Sequence, residues 1–578
     1  MVYNMMDWFF ASGDLGFLWQ EQIHAFSWLP KVFHPDQGFG YNDLLSLWLD
    51  YPFRVVIKLL STIGLSWFVI EKLLWLGVFV LAIYSSYILA KYILGNNSSA
   101  GLASVIYSFN TYILLLFGGG QLGVALAYGI SPFILMKFMQ VIDAQTNDKA
   151  EISYKKNGIN VAAQNGLWFA LLITCDLRLA YLVLGAIVFY WLFCILSGRL
   201  RITGYGILYT FLIPAIVSVG VHAFWILPTI LTGSGPASKG ADFINPGMLR
   251  FLSVADLPHT ISFLHPNWPD NLFGRVYFMQ PEFLLVPVLA FSSLFLLRKN
   301  EQKSFRHLLF FNFMALIGGI FATGVNSPIG GVFQWMFIHV PGFVMFRDPT
   351  KLYLFVAIAY SVLIAYTFKE LAGNSINKRI LFTVIFIAYW CFSIRPVFMG
   401  QMSGNFQPVQ LTDEYIRLKN MLVSDRKPSR VLWIPAADPF AFASDIHPLL
   451  SSGQVFGNAS DSAVLSLMRQ PDFMEKLYDA GVGYVIVPQD LGKRLFLNDY
   501  IFDPVKRTQL IVSLNNTSHT LYLGFTGIAV FYNHNFSMRT EIPAVINAQQ
   551  KFADIGLVVS VISLVLSIGV SLIMKKPD

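Results

Sequence analysis

Residues 67–94 read WFVIEKLLWLGVFVLAIYSSYILAKYIL, an apolar run of twenty-eight positions with Glu71 and Lys72 near one end. An α-helix rises about 1.5 Å per residue, so such a run exceeds the ~30 Å hydrocarbon core of a bilayer. Ten comparable runs follow, near 99–117, 122–142, 159–175, 179–197, 203–230, 282–297, 307–325, 350–368, 380–397 and 555–574. The fold class expected is a polytopic α-helical membrane protein with about eleven transmembrane helices.

Composition agrees. Apolar residues make up 55% of the 578 and charged residues 13%, about half the ~25% usual in soluble domains. The net charge of +7 does not point to nucleic acid, because its Lys and Arg sit in short connections between apolar runs. Lys149, Lys155 and Lys156 share one connection, and Arg199 and Arg201 the next but one. Arg298, Lys299, Lys303 and Arg306 share another, then Lys369, Lys378 and Arg379, and finally Lys575 and Lys576. Every second connection is basic, so these are expected to be cytoplasmic, with the C-terminus among them. That places the protein in the cell membrane as a multi-pass protein with its soluble part outside.

One stretch threatens this alternation. Residues 330–346 (GGVFQWMFIHVPGFVMF) are nearly long enough to span, and spanning would move Lys369, Lys378 and Arg379 outside. They are read as a re-entrant or interfacial segment, which is tolerated where protein or a water-filled cavity covers the backbone, or alternatively as a buried packing helix. The alternation also places residues 1–66 outside, as an acidic loop with no helix ahead of it. The expectation is that one N-terminal helix is missing from this form of the chain; the alternative is that Met1–Phe10 dips into the membrane.

The domain plan is then 1–66 external, 67–397 the helix domain with an external loop at 231–281, 398–554 an external soluble domain, and 555–574 the last helix. The soluble part has α/β patterning. VLWIP (431–435) and YVIVP (484–488) read as buried strands and TDEYIRLKNMLVSD (412–425) as a helix with Thr412 at its N-cap. LMRQPDFMEKLYDAG (467–481) reads as a helix stopping at Gly481, and TLYLGFTGIAVFYN (520–533) as a hairpin. Cys175, Cys194 and Cys391 all lie in or beside apolar segments, so no disulfide framework supports this domain. No CxxC or His/Cys cluster suggests a metal site and no cofactor is implied, although a divalent metal stays compatible with the sequence.

Four stretches could carry chemistry. In MFRDPTKLYLF (345–355), Asp348 and Pro349 suit the cap and first position of a helix whose start favours an anion. Arg347 and Lys351 are four apart and would share one side of it, giving a lipid-phosphate site or, alternatively, two snorkelling anchors. In CDLRLAY (175–181), Asp176 and Arg178 pair or bind something polar at a membrane boundary. LPHTISFLHPNWPDN carries His259 and His265 in a long loop of the kind that covers a site. SGDLGFLWQEQ (12–22) holds Asp14 between Gly13 and Gly16, with Glu21 further on. A carboxylate there has room to approach a bulky ligand and remove a proton from it.

GDLGF, the HAFWILP of 222–228, VPGFVMFRDPTK (340–351) and GVGYVIVP resemble, together and in order, the YfhO-like membrane proteins. That group includes the membrane region of the mycobacterial α-(1→3)-arabinofuranosyltransferase and belongs with the GT-C glycosyltransferases. The likeness implies transfer of a sugar from a polyprenyl-phosphate lipid to a cell-envelope glycan or glycoprotein acceptor on the outer face. By position Asp14 matches the family's acid in the first external loop, with Glu21 as substitute. The departure is the helix that should precede this loop. The implied partners are membrane lipids, the lipid-linked sugar and its acceptor, without nucleic acid. Two alternatives are kept: a non-catalytic envelope assembly factor and a lipid-linked glycan transporter. The latter lacks the inverted repeat expected of it.

Overall fold

The computed structural model describes residues 8–13, 15–42, 44, 47–146, 148–233, 245–263, 281–297, 302–373, 375–457, 461–468, 470, 472–488, 503–515, 519–521, 524–533, 536, 538 and 544–573. Two compact units result, one of residues 1–73 with 403–554 and one of 74–402 with 555–578.

The second unit is a helix bundle, and the chain is a polytopic α-helical membrane protein with a small α/β domain. Among the described residues nine helices are long and apolar enough to cross a membrane. The run at 99–117 is a bent pair, Asn97–Ser108 and Thr111–Gly118, turned by 40°. Asn110 makes the bend affordable in apolar surroundings. Its side-chain oxygen accepts from Tyr112 N and Ile113 N, and its Nδ2 donates to Ile106 O and Tyr107 O, so both broken ends are satisfied. The run at 282–297 holds the shorter apolar stretch Pro281–Leu294. That at 203–230 breaks at His222, whose Nε2 lies 2.9 Å from Ala170 O and whose Nδ1 accepts from Trp225 Nε1.

The bundle is built around one helix. The span Pro349–Ala372 is 94% buried, against 17% for Ile376–Ser393. Helices Gln302–Ala322, Asn97–Ser108, Leu285–Phe291 and Ile376–Ser393 pack on it. The first of these comes close because of Gly318, where a Cβ would meet Phe355 Cβ at 2.7 Å. Gly330–His339 has ten residues, about 15 Å of helix. Val340 ends it, and Gly342 (φ +80°) turns the chain into a 3₁₀ turn at Phe343–Phe346.

One polar knot ties four helices together. The buried Asp143 accepts from Tyr190 Oη and Tyr92 Oη, both at 2.5 Å, from His307 Nε2 at 2.9 Å and from Arg306 Nη2. Arg306, counted from sequence as a loop cation, is thus spent inside the protein.

The first unit is an α/β domain. Its strands are β1 (Trp8–Phe9), β2 (Phe33–His34), β3 (Tyr41–Asn42), β4 (Val409–Gln410), β5 (Arg430–Trp433), β6 (Leu449–Ser451), β7 (Val482–Pro488), β8 (His519–Leu521) and β9 (Ile528–Asn533). The main sheet runs β6-β5-β7-β9-β8, with β6, β5 and β7 parallel and β9 and β8 antiparallel. Every residue of β7 is buried, the pattern of a strand covered on both faces. Leu432, Leu450, Val485 and Phe531 pack with Phe473 and Leu477, while Trp433 stacks on Tyr415.

Thr412 occupies the N-cap of helix Asp413–Ser424 without a side-chain cap bond. The single helix expected at 467–481 is two, Asp461–Met468 and Phe473–Asp479. Pro471 falls between them and lacks the N–H a continuous helix needs. The N-terminal segment is no separate loop. β1 pairs β4, Asp36 O accepts from Leu449 N at 3.1 Å, and Trp19 Nε1 donates to Phe440 O at 3.0 Å.

The Asp143 knot yields a stability prediction. Asp143→Ala leaves Arg306 and His307 buried without their anion, a defect worth about 3–5 kcal/mol. We expect a clear drop in the thermal unfolding midpoint of the detergent-solubilised protein, with Asp143→Asn falling between.

Candidate functional site

In the helix unit, the polar groups singled out from sequence gather at the start of the central helix. Asp348 caps the turn, its Oδ1 accepting from Thr350 N at 3.1 Å and Thr350 Oγ1 at 2.5 Å. Its Oδ2 faces Lys351 Nζ at 3.2 Å, and that ammonium also donates to Gln121 Oε1 at 3.0 Å. Lys351 is 2% exposed. Arg347 and Lys351 do not share one α-helical face. Residues Pro349–Leu352 form a 3₁₀ turn and the α-helix starts only at Tyr353, so Arg347 stands ahead of the cap, exposed.

Asp176 and Arg178 join the same cluster. Asp176 caps helix Leu177–Leu196 through Leu179 N at 3.0 Å and accepts from Arg178 Nη2 at 2.7 Å. Arg178 feels both Asp176 and Asp348, as does the buried Tyr112 hydroxyl. Tyr181, one turn on, donates to Pro341 O at 3.3 Å and packs against Phe346. Asp176, Asp348, Arg178, Lys351 and Arg347 together carry one excess positive charge, with Arg347 the exposed member. Lys351 is the buried cation of this group and Arg347 the exposed one.

His259 meets the start of the central helix through its backbone, whose carbonyl accepts from Tyr353 Oη at 3.2 Å. Its ring is buried, with Nδ1 2.5 Å from Asp256 Oδ1. His265 and Asp14 lie outside the described residues. Among those described, no group of three or more His, Cys, Asp or Glu could hold a metal ion.

In the α/β unit, residues 10–13 form a strap. Three successive backbone N–H groups are taken by side chains: Phe10 N and Ala11 N donate to Glu71 Oε1 at 3.0 and 3.1 Å, and Ser12 N to Asn405 Oδ1 at 3.2 Å. Glu71 is fully buried, and its other oxygen accepts from Lys72 Nζ at 2.6 Å. Such a run of N–H groups is a natural anion cradle. It stabilises an uncommon conformation, since Ala11 has φ +41° without being glycine, and Gly13 has φ +65°. On the far side, Phe17 packs edge-on against Phe9, Trp19 and Phe440.

Glu21 is committed elsewhere. Its Oε1 lies 2.5 Å from Lys419 Nζ. Burial alone would raise its pKa, but the Lys419 hydrogen bond and charge outweigh that and hold it below the ordinary carboxylate value. A lowered pKa makes a weaker base. By linkage, the pair supports folding above the carboxylate range and loses that support as pH falls through it.

Sequence reasoning passed over Glu71, Gln121, Tyr112 and Asn405. Only Glu71 gave a signal, as a carboxylate inside a long apolar run.

No family model matches the chain, and no curated protein does. Among solved structures, the arabinofuranosyltransferase AftD from Mycobacteria superposes with a TM-score of 0.58 at 13% identity, over 93% of this chain and 39% of that one. A variant of that enzyme gives 0.58 at 14%, over 92% and 41%. The archaeal oligosaccharyltransferase AglB from Archaeoglobus fulgidus gives 0.46 at 11%, over 91% and 70%. The fold resembles that of AftD. The chain spans about two fifths of AftD, and at this identity the likeness concerns the fold alone.

The strap at 10–13 makes its own prediction. A hydrogen bond to a charged group is worth roughly 1.5–3 kcal/mol, so Glu71→Ala should speed amide exchange at Phe10 and Ala11 by about ten- to a hundredfold. Exchange in the strands β5 and β7 should stay as slow as in the wild type, as mass spectrometry of peptic fragments would show.

Proposed function

We propose that the protein is a GT-C-type glycosyltransferase that moves a sugar from a polyprenyl-phosphate donor to a cell-envelope glycan or glycoprotein acceptor on the outer face. The observation that carries this reading is the fold shared with an arabinofuranosyltransferase over 93% of the chain. In this proposal Asp14 takes the proton from the acceptor hydroxyl. The acceptor oxygen then forms a bond to the anomeric carbon as the bond from that carbon to the phosphate oxygen breaks. Inversion follows from a single displacement, and the lipid phosphate leaves as an anion. Within the helix unit taken by itself, Arg347 is the residue we propose for a phosphate, with Lys351 and Arg178 as fixed positive charges near it. Glu21, paired with Lys419, is the weaker candidate for the base.

Transfer from a radiolabelled polyprenyl-phosphate sugar, assayed on the full-length gene product, tests this. Removal of a general base costs about 10²–10⁴ in rate. Asp14→Asn should therefore lose turnover at unchanged expression while Glu21→Gln keeps most of it. Arg347→Gln should raise the KM for the donor. Full activity in Asp14→Asn with loss in Glu21→Gln would reverse the assignment, and indifference to both would favour the assembly-factor reading.

Sidedness is tested separately. A cysteine at Ser424 should react with an impermeant thiol reagent in intact cells, and one at Leu371 only after the membrane is opened. The reverse pattern would overturn the orientation and, with it, the re-entrant assignment of 330–346.

A further inference from the structure

Gln121 stands where the turn after helix Thr111–Gly118 enters the span Leu122–Gln145. Gly120 (φ +63°) makes that turn. The backbone of residue 121 is fixed on both sides, with Gln121 N donating to Leu116 O at 3.0 Å and Gln121 O accepting from Ala125 N at 2.9 Å. At the N-cap of the span its side chain is placed to accept from an open N–H group, yet it makes no cap bond. Its oxygen turns instead to the Lys351 ammonium at 3.0 Å.

An ammonium only donates, so the atom facing it is the amide oxygen, and the NH2 group is left at the other end of the amide. Among the described residues that Nε2 makes no hydrogen bond, and Gln121 is half-buried where Lys351 is buried. The carboxylates of the cluster are already engaged, Asp348 by Thr350 and Lys351, Asp176 by Leu179 N and Arg178. An amide whose oxygen binds a cation is polarised, which makes its nitrogen the better donor to an anion. The positive charge of a sealed lysine is thus carried one side chain further, as a pair of N–H groups.

We infer that Gln121 binds the sugar donor, its Nε2 donating to a phosphoryl oxygen of the lipid while Lys351 polarises the amide from behind. The inference rests on the proposed transfer from a polyprenyl-phosphate lipid, and it adds a neutral contact to the charged residues Arg347, Lys351 and Arg178.

A structural Gln121 and a ligand-binding one respond in opposite ways to Gln121→Glu. The carboxylate gives Lys351 a charged partner in place of a neutral one, so the thermal midpoint should hold or rise. Both N–H donors are lost, however, and a negative charge meets the phosphate. With the full chain in zwitterionic nanodiscs and a polyprenyl monophosphate as probe, affinity should fall about ten- to a hundredfold, the worth of a hydrogen bond to a charged group. Wild-type affinity at an unchanged midpoint would overturn the inference. Should Gln121→Glu lower the midpoint, Gln121→Met, similar in length but without either N–H, takes its place. It should lose affinity about tenfold, and wild-type affinity in it is equally fatal. Arg347→Gln, run alongside, separates the two readings. Weakened binding there with intact binding in Gln121→Glu removes only the role of Gln121. Intact binding in both, or none in the wild type, removes the phosphate site as a whole. An equal response with phosphatidylglycerol as probe would mark an ordinary phospholipid as the occupant and overturn the assignment to the sugar donor.

Discussion

A hydrocarbon interior offers polar groups no partner, and the whole arrangement follows from that constraint. Several of the polar side chains drawn inside are satisfied more than once. Asp143 is held from three neighbouring helices at once, Asn110 closes both ends of a broken span, and Lys351 is shared between Asp348 and Gln121. Removing water makes these contacts stronger and makes their loss costly. The bundle is thus organised by a few saturated polar knots around the buried central helix, with apolar packing filling the remainder.

The same economy governs the α/β unit, where among the described residues Ala11 alone combines a positive φ with a Cβ. The backbone at Ala11 sits in a conformation seldom used by residues with a Cβ. It persists because Glu71 and Asn405 occupy the N–H groups around it. Strain so over-determined is typical of sites where position matters. The aromatic cluster of Phe9, Phe17, Trp19 and Phe440 holds the other side of the strap to the loop after β5.

Much of the site was visible in the residue order, and the rest could not have been. Asp348 as a cap and Asp176 beside Arg178 are local relations, set within two or three residues by backbone geometry. Gln121 as the partner of Lys351 is 230 residues distant and Asn405 as the partner of Ser12 is 393. A pairing at that range leaves no periodicity or spacing to read. The same distance explains Arg306, whose place in a basic connection signalled orientation but not its burial against Asp143.

By itself the sequence determined that this is a membrane protein of many helices with one α/β domain, and where most of those elements lie. Hydrophobic length and alternation are properties of contiguous residues, and a bilayer or a sheet reads them directly. Only the tertiary structure decided that residues 1–73 fold with 403–554, that Lys351 is buried beside Gln121, and that Glu71 holds the strap before residue 14. Those outcomes depend on which distant groups can satisfy one another once water is gone, and this is settled when the chain packs.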